Sequence, residues 1–279
     1  DHPRIFFNAD SFPAVRAIAL GKESKRFFDM QRRVDVIAAD SLGVKDYGIS
    51  ASEAAFVYLV TGEKRYMELA RNLLRQSILY YHHRYVNQQT VNWYAYSRIC
   101  AWAAYDWIFN DLSREERVSF GSSFLQAVEQ VQPTKRRHYF WPQESWSAPT
   151  TGFYGTPSLL WYAGLATYGE DIDDRAESCL AEGYRLNMAL LNHRRTGAGD
   201  DGGSATASLN YSMAAYPWSE FSFFHTYRSA TGKNIALDWP HASYLPGYLY
   251  WNMLPGRREF GAGDAYHSNN EISLGQMKI

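Results

Sequence analysis

The sequence predicts an all-α protein of helical hairpins in series, an array suited to a closed or horseshoe-shaped (α/α) toroid. Three observations predict it. Apolar residues recur at helical spacing through most of the chain. The junctions Thr61-Gly62-Glu63, Tyr168-Gly169-Glu170 and Thr231-Gly232-Lys233 each set a glycine between an apolar and an amphipathic segment, where a left-handed residue ends a helix. No compositional break divides residues 1–279, so one domain is expected, and the junction spacing is too irregular for a solenoid of fixed repeat.

The elements follow in order. His2-Pro3-Arg4-Ile5-Phe6-Phe7 reads as a short extended piece, with Asn8-Ala9-Asp10 capping a helix from Phe12 to about Ala39 that is interrupted at Gly21. A buried helix from Ile49, capped by Ser50 or Ser52, stops at Gly62, and Glu63 to Tyr81 is its amphipathic partner. Thr90 to Phe109 is an aromatic-dense helix. Leu112-Ser113-Arg114-Glu115-Glu116 caps the next one, which runs to Val131. Residues 132–155, with Pro133, Pro142 and Pro149, predict a long ordered loop. Pro157 to Thr167 and Ile172 to Leu191 form a further hairpin. From Asn192 to Gly232, a glycine-rich polar turn leads into a helix carrying Leu209, Met213, Tyr216, Phe221, Phe224 and Tyr227. Prolines at 240, 246 and 255 interrupt the chain again, and Arg258 to Asn270 reads as a turn at a rim.

Composition narrows the function classes. The formal charge of -1 offers no electrostatic footprint for nucleic acid, and no run of about 18 apolar residues spans a membrane. Charge gathers locally in Lys135-Arg136-Arg137-His138 and His193-Arg194-Arg195. Cys100 and Cys179 lie in helical patterns and read as free thiols without metal-ligand spacing. Aromatic content is high: 21 Tyr, 15 Phe and 9 Trp, 16% of the chain. Most must pack between helices, yet Tyr and Trp also suit stacking on the apolar faces of sugar rings.

Several motifs, in order, resemble the heparinase II/III-like polysaccharide lyases. His2 to Phe7 is similar to the family's HPR-hydrophobic entry and Trp102 to Trp107 to its AYDW segment. Asp201-Gly202-Gly203 through Tyr211 to Ser229-Ala230-Thr231-Gly232 resembles the DGG...Y...SATG block, and Phe260 to Asp264 the glycine-aspartate turn after it. The resemblance implies an incomplete (α/α) toroid, with an antiparallel β-sandwich region expected beyond Ile279. It also implies β-elimination at a uronic acid of an anionic polysaccharide resembling heparan sulfate or alginate, in the periplasm or outside the cell, with no cofactor. Tyr211 matches the catalytic tyrosine.

β-Elimination requires that the uronate carboxylate be neutralised before the proton at C5 is removed, and that an acid and a base flank the bond. This chain has Ala205-Thr206-Ala207 where relatives carry a Glu, and no His or Asn in Thr151 to Gly155, where they carry a neutralising residue. His138, Gln143 and His193 are the nearer candidates for that role; His225 and His267 are more distant. The glycan groove is expected to be lined by Trp93, Tyr94, Trp146, Tyr154, Asn210, Tyr216 and Trp218. Arg136, Arg137, Arg194 and Arg195 would contact uronate or sulfate, since the guanidinium fork pairs bidentately with oxyanions.

Two other functions remain open: an (α/α)-toroid glycoside hydrolase using Asp200-Asp201 and Asp106 as its carboxylates, and a glycan-binding module without catalysis. Asp106 has a plainer reading, as an acceptor for backbone or aromatic donors between helices. Asp171-Ile172-Asp173-Asp174 fits the DxDD acid of toroidal terpene cyclases, but a start of helix facing water explains it better. His82-His83 lack the spacing of two ligands on one helical face.

Overall fold

The structure, a computed structural model, describes residues 1–87, 89, 96–128, 156–199, 216–256 and 258–259. Ten α-helices stand among them: α1 Phe12–Leu20, α2 Ser24–Asp35, α3 Gly48–Thr61, α4 Lys64–Val86, α5 Tyr96–Ile108, α6 Arg114–Val128, α7 Thr156–Thr167, α8 Arg175–Ala198, α9 Tyr216–Thr231 and α10 His241–Trp251. The all-α expectation holds among the described residues, apart from a two-residue ladder in which Met253–Leu254 pairs antiparallel with Arg258–Glu259. The loop expected over residues 132–155 and the turn over Phe260 to Asn270 lie outside them.

The three glycine junctions end their helices as predicted. Gly62, Gly169 and Gly232 have φ of 75°, 77° and 75°. Two share their hydrogen bonds as well: Thr61 and Thr231 donate their hydroxyls to the carbonyls of Val57 and Tyr227 and accept from the amides of Glu63 and Lys233. At α6 the capping box forms in full, with Ser113 Oγ accepting from the Glu116 amide and Glu116 Oε2 from the Ser113 amide.

Other boundaries moved for physical reasons. The segment from Phe12 is interrupted at Gly21 as expected, but α2 ends at Asp35 rather than near Ala39, and past Val36 only a single 3-10 turn at Ala39–Ser41 precedes α3. α3 is not capped by Ser50 or Ser52. Its first amide, Gly48, donates to Asp46 Oδ1 at 3.0 Å, while the Ser52 hydroxyl turns back to the Ile49 carbonyl. Asp46 earns this position because it also accepts from the Ser97 hydroxyl of α5 at 2.8 Å and from the Tyr81 hydroxyl of α4, tying three helices. Pro246 does not break the chain into a loop; it sits inside α10. The polar turn expected from Asn192 is also displaced, because residues 192–198 are the last turns of α8 and Gly199 stands at its C-cap.

Packing is serial. α3 lies against α2, α4 and α5; α5 against α7; α4 against α6; α7 against α8; and α9 against both α7 and α8. Leu159 to Thr167 of α7 are buried throughout, whereas α8 buries one stripe: Ala176, Cys179, Gly183, Leu186, Leu190, Arg194 and Ala198. The two helices meet backbone to backbone. A β-carbon on Gly183 would fall within the backbone of Trp161, and one on Gly164 within that of Leu180.

Aromatic residues mainly fill the helix interfaces. Trp161, Tyr184, Phe223 and Tyr227 join α7, α8 and α9, with Trp161 and Phe223 ring centroids 5.0 Å apart and the Trp161 indole N–H donating to Thr226 Oγ1 at 2.8 Å. Cys179 is buried and Cys100 half-buried, both as free thiols. Burial pushes the Cys100 thiol up to about 11, so it is no nucleophile.

Candidate functional site

Two polar constellations lie within this helical frame, one at the N-terminal strap and one where α8, α9 and α10 meet. In the first, Asp106 of α5 is fully buried and accepts from the amides of Arg4 and Ile5, both at 2.8 Å. Its other oxygen lies 2.6 Å from His2 Nδ1. A carboxylate only accepts, so that ring nitrogen carries the proton. The His2 ring stacks on Phe109 with centroids 3.8 Å apart, and its Nε2 lies 3.3 Å from Glu170 Oε1. Arg4 pairs with Glu170 and donates to the carbonyls of Leu165 and Tyr168. The entry motif and the AYDW motif are therefore two halves of one clamp. Sealed from solvent and committed to three donors, Asp106 takes the plain structural reading and is not placed to act on a substrate.

The second constellation starts from the buried stripe of α8. Helical periodicity turns Arg194 inward, to 7% exposure, and leaves its neighbours His193 and Arg195 exposed. Arg194 Nε lies 2.8 Å from Glu220 Oε1 of α9, itself 7% exposed. Burial raises the Glu220 carboxyl to about 7 against the pull of the Arg194 charge. Arg195 lays its guanidinium over the buried Trp239 ring, 5.1 Å from the centroid, and donates to Asn192 Oδ1 at 2.9 Å. Past Trp239, His241 opens α10. It is 6% exposed, its ring stands edge-on to Trp239 with centroids 6.1 Å apart, and neither ring nitrogen has a hydrogen-bond partner. Burial and the charges of Arg195 and Arg194 hold its pKa below the ordinary histidine value.

This corner brings together Arg194 and Arg195 from the predicted set. His193 and His225 are exposed, on α8 and α9. Tyr216 and Trp218 fall on the first turn of α9. Tyr211, His138, Trp93, Tyr94, Arg136, Arg137, Gln143, Trp146, Tyr154, Asn210 and His267 lie outside the described residues, as do Asp200 and Asp201. His241, Trp239 and Glu220 were not among the expected site residues. Glu220 had a legible signal: four residues before Phe224, it lies on the inward face of α9. His241 had none beyond its place after Pro240.

The remaining candidates resolve simply. Asp173 is gripped by the Arg175 side chain at 2.8 Å and by its amide at 3.0 Å, which holds its carboxyl down to about 2 and makes it a turn before α8 rather than an acid. His82 lies 3.4 Å from Gln126 Oε1 and His83 beside Asn87. No group of metal-ligating side chains occurs among the described residues, and no helix there is long and apolar enough to cross a membrane.

Compared with known proteins, the chain matches no family model and no curated sequence.

Proposed function

We propose that this chain is the helical domain of a polysaccharide lyase, an incomplete (α/α) toroid that cleaves a uronic-acid glycan by β-elimination. The serial packing of α3, α5 and α7, with α4, α6 and α8 as their partners, suits such a toroid. The observation that carries the function is the cationic corner at the end of α8. In sequence the DGG...Y...SATG block begins two positions after Gly199, the C-cap of α8, and its later half is α9, whose Glu220 pairs with Arg194. Tyr216 stands five positions after Tyr211, so chain length alone keeps the two Cα atoms within about 17 Å.

In the proposed reaction a base removes the C5 proton, the electron pair forms the C4–C5 double bond, the C4–O bond breaks, and an acid protonates the departing oxygen. Tyr211 supplies acid or base; as a base it requires a positive charge nearby to stabilise the phenolate. A protein acting on extracellular glycan would work in the periplasm or outside the cell.

The test is to incubate the chain with heparan sulfate, alginate and related polymers and follow the absorbance of unsaturated uronate. Product is expected from at least one polymer, and Tyr211→Phe should lower the rate by about a hundredfold or more. A panel left without absorbing product refutes the lyase reading; new reducing ends without absorbance would indicate a hydrolase, and binding without turnover that is unaffected by Tyr211→Phe a glycan-binding module.

A further inference from the structure

At the corner of α8, α9 and α10, among the described residues, a buried imidazole stands without a hydrogen-bond partner beside two guanidinium charges. Two guanidinium groups, Arg194 and Arg195, place their charge near His241, and among the described residues the carboxylate of Glu220 pairs with Arg194. Arg194 spends its charge on Glu220 at 2.8 Å. Arg195 has no carboxylate within ion-pair distance among the described residues; its one side-chain acceptor there is Asn192. His241 lies deeper, with both ring nitrogens unpartnered at 6% exposure. Burying an imidazole in that condition costs free energy that a ligand acceptor would recover. The neutral ring has one N–H to offer. The positive end of the α10 dipole lies at the same point, since His241 is its first residue.

We propose that Arg195 and His241 form a seat for an oxyanion, the carboxylate of a uronate or a sulfate ester on the same glycan. The assignment of the anion to a glycan rests on the lyase reading; the seat itself does not. Each part has a distinct task. Trp239 lies under the Arg195 guanidinium, 5.1 Å from ring centroid to Cζ, and attracts it through the face of the indole. Glu220 holds Arg194 in place, with Nε and Oε1 2.8 Å apart. His241 donates its N–H to one oxygen of the anion while Arg195 pairs with another. The seat supplies what the resemblance left without a residue, a neutraliser of the uronate carboxylate. His241 is here a binding and positioning residue.

The experiment titrates the whole chain with sodium glucuronate, sodium sulfate and, as the uncharged control, glucose, while imidazole resonances are followed by NMR. Either anion is expected to move the His241 signals and raise its pKa, because a bound negative charge stabilises the imidazolium; glucose should leave them unmoved. Arg195→Gln, at an exposed position, should weaken anion binding about tenfold. His241→Phe, which keeps a ring beside Trp239, should weaken it similarly with the helical circular dichroism spectrum retained. Preference between the two salts tells carboxylate from sulfate.

The seat is overturned if neither anion shifts His241, or if both variants bind as tightly as the parent chain. Its failure is separable from that of the lyase reading. Anion binding lost in both variants, with no unsaturated product from any polymer, keeps the seat and removes the lyase. Unsaturated product formed with unchanged kcat/KM by His241→Phe, alongside an unmoved His241 signal, removes the seat and keeps the lyase.

Discussion

Asp106→Ala is the sharpest test of how the chain is held together. The substitution removes a carboxylate with no exposure to solvent and strands three donors: the amides of Arg4 and Ile5, each at 2.8 Å, and His2 Nδ1 at 2.6 Å. A buried donor left unsatisfied costs about 1–3 kcal/mol, and more where the lost acceptor was charged. Because the three donors share one partner and relax together, a loss of about 4 kcal/mol is expected rather than the sum. At roughly 2–3 °C per kcal/mol for a chain of this size, Tm should fall by about 10 °C. Asp106→Asn keeps one accepting oxygen and should lose about half as much. The exposed Asp40→Ala, as control, should stay within about 0.5 kcal/mol. Urea denaturation followed by tryptophan fluorescence reads all three. A loss below about 1 kcal/mol for Asp106→Ala would refute the clamp. Unchanged stability with abolished turnover would instead make Asp106 a catalytic carboxylate.

The other predictions concern α8. Glu220 has its folded pKa raised from 4.5 to about 7, so between those values the folded state holds the proton more tightly and stability falls as pH rises. Glu220→Gln mimics the protonated form. Its stability relative to the parent should therefore improve from pH 5 to pH 8, and parallel denaturation curves across that window would contradict the assignment. Gly183→Ala forces a methyl group into the Trp161 backbone and should cost about 1–3 kcal/mol by spreading α7 from α8. A thermal melt matching the parent would show that the two helices are not in contact there.

Much of the fold was legible because its determinants are local. Gly62, Gly169 and Gly232 end their helices through a backbone conformation that glycine adopts freely, and Ser113 with Glu116 closes a box within four residues. The cap of α3 was misread for the opposite reason. Ser50 and Ser52 stand at the right spacing, but Asp46 is fixed by Tyr81 and Ser97, residues 35 and 51 positions away. Pro246 discouraged a helix that forms around it nonetheless.

The candidate site divides along the same line. Arg194 and Arg195 were recognisable as adjacent charges, and the α8 periodicity separates one as buried and the other as exposed. No local pattern pairs Arg194 with Glu220, or sets His241 of α10 against Arg195 of α8. By itself the sequence determined that the chain is a series of helices and where the glycine junctions stop them, since capping, periodicity and turn chemistry act within a few residues; that Asp106 belongs to structure was decided by His2, Arg4 and Ile5, more than 100 positions away. Only the tertiary structure decided that Arg194 meets Glu220, 26 positions on, and that Arg195 and His241, 46 positions apart, share one corner, because such pairings depend on where folded helices meet.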